Sequence, residues 1–131
     1  DATGDLARPL RTRMAIGPGF RQLSGEDATA LPFLAAGGVG CISVTANVAP
    51  RLCAEMQRAW RDGDPAAAME LQDRLMPVHE AMFCEANPGP VKFAAHLMGK
   101  CAPDMRPPMY EISDACKAQV KNALTLTGLL N

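Results

Sequence analysis

Two short stretches of strand character, residues 20–24 and 39–44, stand on either side of one helical stretch, residues 26–36. A connection of that length makes the two strands parallel and joins them by a right-handed crossover. Parallel strands need cover on both faces and more than one partner. Two strands cannot supply that, so the pair reads as a piece of a larger parallel sheet whose other strands lie outside these 131 residues. An open sheet and a closed eight-stranded barrel both satisfy this requirement. A whole barrel takes about 250 residues, roughly twice what is here.

The remaining elements are helical. Asp5 is placed to cap a first helix in which Leu6, Leu10 and Met14 recur every four positions, with Pro9 suited to its first turn and Gly17-Pro18-Gly19 as its stop. The helix over 26–36 carries acids at its N-terminus and Gly37-Gly38 after its end. Ala49-Pro50 opens a helix to about residue 62, with Leu52, Met56 and Trp60 spaced by four and Trp60 as a packing anchor. Asp64-Pro65 pairs an N-cap with a first-turn proline and starts a long helix to residue 85, which Pro77 is expected to kink. Asn87-Pro88-Gly89-Pro90 breaks the chain before a short helix over 91–98, closed by Gly99. A proline-rich connector covers 103–108. Ser113 then caps a last helix with Cys116, Val120 and Leu124 on one face, stopping at Gly128. The order divides the chain into βα units over 1–62 and a helical region over 63–131.

Charge and composition narrow the function classes. Thirteen basic against 14 acidic side chains give a net charge of −1, which argues against nucleic acid as a partner. Arg8, Arg11 and Arg13 read as a solvated face. No apolar run approaches the roughly 18 residues of a membrane span, so a membrane partner is not expected. The five cysteines are odd in number and include no C-x-x-C pair, so they are expected as reduced thiols in a cytoplasmic protein. His79 and His96 lack Cys or His partners at zinc-site spacing, so no metal is expected and both read as structural. Met69, Met76 and Phe83 recur every seven positions beside Leu71, Leu75, Val78 and Met82. These rows are expected to form a seam between helices.

Small and polar residues gather just after each strand, Ser24-Gly25 after the first and Ser43 and Thr45 after the second. Asp1-Ala2-Thr3-Gly4 precedes a helix in the same manner, as if trailing a strand that ended just upstream. In a parallel barrel all such strand ends open onto the face that carries active sites. Turn formation by Ser, Thr and Gly explains the same residues equally well.

Four segments, in this order, resemble one family. They are Asp1-Ala2-Thr3-Gly4-Asp5, then Leu23-Ser24-Gly25-Glu26-Asp27-Ala28, then residues 37–47 with Ile42-Ser43-Val44-Thr45-Ala46-Asn47, and finally Asn87-Pro88-Gly89-Pro90-Val91-Lys92, preceded by Leu75-Met76-Pro77-Val78-His79. Together they are similar to the dihydrodipicolinate (4-hydroxy-tetrahydrodipicolinate) synthase family. The likeness runs from Asp1 to Leu129-Leu130. It implies an α/β fold, the C-terminal part of a (β/α)8 TIM barrel followed by a helical extension, and a homotetramer without a cofactor. It also implies condensation of pyruvate with L-aspartate-4-semialdehyde through a lysine Schiff base, toward diaminopimelate and lysine.

The resemblance places that lysine immediately before Asp1, so none of the catalytic groups is expected in this chain. Either the chain is a fragment, or it is interrupted at a lysine covalently joined to pyruvate. Among the residues present, Ile42 and Gly25 match the family's substrate neighbours, Ile42 through its backbone carbonyl and Gly25 through its close backbone. Thr3 reads as a helix-entry hydroxyl and Asn87 as a turn residue before Pro88. Sialic-acid lyases of the same superfamily place an Asp-Glu pair where this chain has Asp27-Ala28, which favours the smaller aldehyde. Aldolases of keto-deoxy sugars or sialic acid stand as the alternative enzyme class. A helical interaction module without catalysis stands as the alternative outside enzymes.

Overall fold

The structure, a computed structural model, describes residues 1–130. Asp5 does not cap the first helix: its carboxylate accepts a hydrogen bond from the Ala7 N–H at 2.9 Å in the preceding turn, and α1 runs over Arg8–Ile16 with Ala7 at its N-cap and Pro9 in its first turn. Strand β1 (Leu23–Ser24) and strand β2 (Gly40–Cys41) pair in parallel, Leu23 opposite Gly40 and Ser24 opposite Cys41. Helix α2 (Ala30–Ala35) connects them. All three elements are shorter than the sequence expectation. Ser24 Oγ accepts from the Glu26 N–H at 3.0 Å, and the Glu26 carboxylate accepts from the Ala28 N–H at 3.1 Å. The residues expected in the first turn of α2 thus fold into the turn before it.

Asp1 adds a third row to the sheet. Its amino group donates to the Leu23 carbonyl at 2.8 Å and its carbonyl accepts from the Gly25 N–H at 2.7 Å. That bracketing of Ser24 is the pair of bonds a parallel neighbour makes. Side chains alternate across a strand, and the two faces here have different surroundings. Ser24 is only 1% exposed on the helix side, whereas Leu23 and Ile42 are 42% and 71% exposed on the other. One face of the sheet is packed and the other is open.

After a 3₁₀ turn over Thr45–Asn47, four helices complete the chain: α3 (Pro50–Arg61), α4 (Pro65–Ala81), α5 (Gly89–Leu97) and α6 (Asp114–Thr127). Asp64 and Ser113 cap α4 and α6 by accepting from the Ala67 and Cys116 N–H groups at 3.0 and 3.2 Å. Gly128 ends α6 in the left-handed region, φ 77°, a conformation that costs glycine least. Helix α4 packs between α3 and α6, and α5 lies on α6. Val78, Met82, Val120 and Leu124 close the main core with no exposed surface, and Leu75 closes a smaller one against Ala49 and Leu52. Trp60, partly buried, packs against a second cluster that includes Leu31, Leu34 and Met56.

Two further expectations need correction. Met69 and Phe83 are exposed and lie on the outer face of the bundle. The neighbouring row forms the seam, with Leu75, Val78 and Met82 fully buried and Leu71 half-buried against two apolar clusters. The cysteines are not all free, because Cys84 and Cys116 form a disulfide, the exit of α4 and the first turn of α6 bringing their Cα atoms to 5.9 Å. The arginines of α1 are exposed, as the solvated-face reading has it, and make local contacts there: Arg8 meets Asp1 at 3.4 Å, Arg11 pairs with Asp5, and Arg13 donates to the Ala36 carbonyl at 2.9 Å after α2. The order of elements, the parallel pairing and the helical region are those of the C-terminal part of a (β/α)8 barrel with its helical extension.

Candidate functional site at the open sheet face

The strand-end turns are built around Asp27. It lies two residues beyond Gly25, is buried, and reaches across to the turn after β2, where its Oδ2 accepts from the N–H groups of Val44 at 2.8 Å and Thr45 at 3.1 Å. From α4, Gln72 Nε2 donates to the carbonyls of Asp27 and Ala28 at 3.1 and 3.2 Å. Thr45, also buried, places its hydroxyl 2.7 Å from His79 Nδ1 on α4. Burial of the imidazole lowers the His79 pKa below its ordinary value of 6.5, because the charged form loses its hydration. Among the described residues His79 Nε2 has no hydrogen-bond partner.

Behind β2, a cavity of about 220 Å³ is lined by Asp27, Cys41, Ser43, Cys53 and His79. Burial, and secondarily the Asp27 charge, push the Cys41 thiol up to about 12 and the Cys53 thiol up to about 11. Neither is a thiolate nucleophile at neutral pH. Among the described residues no group of three or more His, Cys, Asp or Glu is placed to hold a metal ion, and no helix is long and apolar enough to cross a membrane.

Ile42 and Gly25 both lie at the open face. Ile42 follows β2, its N–H donates to the Ser24 carbonyl at 2.7 Å, and no backbone N–H of the described residues donates to its own carbonyl. At Gly25 the adjoining row comes so close that a Cβ would meet the Ala2 Cβ at 2.9 Å. Thr3 serves helix entry: its hydroxyl donates to the Asp1 carboxylate at 2.6 Å and accepts from the Asp5 N–H at 3.3 Å. Asn87 is a turn residue whose amide reaches the Met82 carbonyl at 3.5 Å. His96 is exposed, with Nδ1 3.0 Å from the Cys101 carbonyl. Sequence reasoning missed the role of Asp27, reading it as a helix-start acid, and left Thr45 open between the active face and a simple turn. The one available signal was an acid and a hydroxyl each standing just past a strand end.

The chain matches the Dihydrodipicolinate synthetase family over residues 1–127. It is 65% identical over 130 residues to the 4-hydroxy-tetrahydrodipicolinate synthase of Rhodospirillum centenum, covering 99% of this chain and 45% of that protein. With the synthase of Acidiphilium cryptum the identity is 61%, covering 99% and 44%. Among solved structures, the 4-hydroxy-tetrahydrodipicolinate synthase of Methylacidiphilum fumariolicum superposes with a TM-score of 0.95 at 33% identity, over 98% of this chain and 43% of that one. The dihydrodipicolinate synthase of Acinetobacter baumannii complexed with pyruvate gives 0.93 at 35%, over 99% and 45%. The chain thus spans a little under half the length of the relatives it matches. By sequence across nearly its whole extent, and by fold, it belongs to the dihydrodipicolinate synthetase family.

Proposed function

We propose that this chain is the C-terminal part of a pyruvate-dependent lyase that condenses pyruvate with L-aspartate-4-semialdehyde through a lysine Schiff base, giving 4-hydroxy-tetrahydrodipicolinate toward diaminopimelate and lysine. The observation that carries the reading is the third row of the sheet. Asp1 brackets Ser24 and so shares its helix-side face. By strand alternation, the residue one step upstream stands on the open face, in the row of Leu23 and Gly40 and beside Gly25 and Ile42. A lysine there attacks the pyruvate ketone and expels water. The protonated imine then draws electrons from the adjacent methyl group, which loses a proton and becomes the carbon nucleophile toward the aldehyde. Desolvation in the barrel mouth lowers the lysine pKa for the attack. Gly25 and the unclaimed carbonyl of Ile42 are the substrate neighbours of this half.

The turn around Asp27 and Ala28 supports the choice of acceptor. The Asp27 Oδ2 is held by the N–H groups of Val44 and Thr45, and Ala28 follows it, so this turn offers one carboxylate fewer to a polyhydroxylated sugar than an acidic pair would. That supports the smaller aldehyde over keto-deoxy sugars or sialic acid. We further assign residues 1–62 to the barrel and 63–131 to its helical extension, with a homotetramer in the cytoplasm as the working form. The test is to incubate the full-length protein with pyruvate and borohydride and weigh it. One reduced pyruvate adduct on the lysine before Asp1 is expected, and no mass gain refutes the imine. Faster turnover with sugar-derived aldehydes than with aspartate semialdehyde would reverse the choice of acceptor.

A further inference from the structure

The two proposed substrate neighbours lie on different strand-end turns, and one buried carboxylate joins them. Asp27 is anchored two residues after Gly25 and holds the N–H groups of Val44 and Thr45, two and three residues after Ile42. Thr45 is held in turn from the helical extension by its hydroxyl contact with His79 Nδ1 at 2.7 Å. All three side chains are at least 97% buried. Keeping an imidazole there with one nitrogen unpartnered is costly, and the bond to Thr45 is what that placement secures. We infer that Asp27, Thr45 and His79 form a positioning relay that sets the Ile42 carbonyl relative to Gly25 and the pyruvate imine. The inference rests on the imine reading above. None of the three residues is assigned contact with substrate. They act through the backbone of residues 42–45, and a displacement of about 1 Å at such a point costs on the order of 100-fold in rate.

The experiment uses the full-length protein and four variants, Thr45→Val, Thr45→Ser, His79→Leu and the double variant Thr45→Val/His79→Leu. Steady-state kinetics with pyruvate, borohydride trapping and circular dichroism are read on each. Thr45→Val removes the hydroxyl at nearly constant shape. It is expected to stay folded and to lose about tenfold or more in kcat/KM for pyruvate, whereas Thr45→Ser recovers to within about threefold of wild type by restoring the hydroxyl. His79→Leu is expected to match Thr45→Val, and the double variant to lose no more than either, since all three break the same link. Hydrogen exchange at the Val44 and Thr45 amides of His79→Leu, expected to quicken, gives a readout independent of Thr45→Val folding. Wild-type kinetics in Thr45→Val, equal losses in Thr45→Ser and Thr45→Val, multiplied losses in the double variant, or unchanged exchange would each overturn the relay while wild type still traps pyruvate. Wild type that traps none ends the imine reading and the relay's role with it.

Discussion

Gly25→Ala is the most direct probe of how closely the Asp1 row must approach β1. A Cβ at position 25 meets the Ala2 Cβ at 2.9 Å and the Ala2 Cα at 3.3 Å, where ordinary contact begins at 3.4 Å. The obstruction is main-chain-anchored, not the free end of a long side chain, so it cannot swing away. Ala2 must retreat by at least about half an ångström, an overpacking that costs about 1–3 kcal/mol. The retreat also displaces Asp1 and whatever precedes it, the proposed position of the imine lysine. A shift of half to one ångström at a reacting group predicts a loss of about 10- to 100-fold in kcat/KM for pyruvate. Ala2→Gly removes the nearest obstructing atom, so Gly25→Ala/Ala2→Gly should regain most of the loss. Two other glycines serve as controls. Gly19→Ala meets nothing within 4 Å, and Gly40→Ala meets only the Leu23 Cδ2, a mobile methyl, at 3.2 Å; both should stay within about threefold of wild type. The assay is coupled turnover of pyruvate and aspartate semialdehyde by full-length variants, with thermal midpoints alongside. Gly25→Ala at wild-type activity, or the absence of rescue by Ala2→Gly, would refute the reasoning.

Leu124→Ala and Leu126→Ala, two residues apart on α6, differ in exposure as 0% against 68%; denaturant unfolding should show a loss of about 3–4 kcal/mol for the first and within about 0.5 kcal/mol for the second. Burial lowers the folded-state pKa of His79 below 6.5, so the unfolded chain takes up the proton first and stability falls as pH drops below about 6.5, until the folded value is passed. The slope is at most about 1.4 kcal/mol per pH unit, and a pH series of unfolding midpoints that His79→Leu leaves unchanged would contradict it. Alkylation in denaturant without reductant should mark Cys41, Cys53 and Cys101 but not the Cys84–Cys116 pair. In the folded protein near pH 8, exposed Cys101 should react well ahead of Cys41 and Cys53, whose thiols are held protonated.

What was legible in the sequence was what is decided locally. Asp64 and Ser113 announce α4 and α6 because a cap and its N–H partner lie three residues apart, and the parallel sense of β1 and β2 follows from connection length alone. The strand lengths were not legible, because the bonds that end β2 come from Asp27, 17 and 18 residues earlier in the chain. The two apolar rows of α4 are equally regular in sequence. Only packing against α3 and α6 decides that Leu75, Val78 and Met82 go inward while Met69 and Phe83 stay outside. The Cys84–Cys116 pair spans 32 residues and depends on how α6 docks, which no spacing rule reports. At the site, Ile42 and Gly25 came from resemblance, whereas Asp27 and His79 acquire their roles from contacts 17 to 34 residues away in sequence.

The distribution of uncovered apolar side chains decides between a barrel half and a free-standing module. Among the described residues, eight of the 12 large hydrophobic residues that remain exposed, from Leu6 to Ile42, fall in the first 42 positions. The helical extension, by contrast, encloses Val78, Met82, Val120 and Leu124 completely. A module built for interaction through its helices would carry its unsatisfied surface there. Here much of that surface lies instead on α1, at Leu10, Met14 and Ile16, and on the sheet face opposite Ser24, at Leu23 and Ile42, which a parallel sheet requires to be covered. The helical extension meets the sheet on its other face, where Gln72 and His79 of α4 hold the turns after β1 and β2. One face is braced by the bundle and the other carries the proposed site, so a change inside α4 is expected to alter that site without touching substrate.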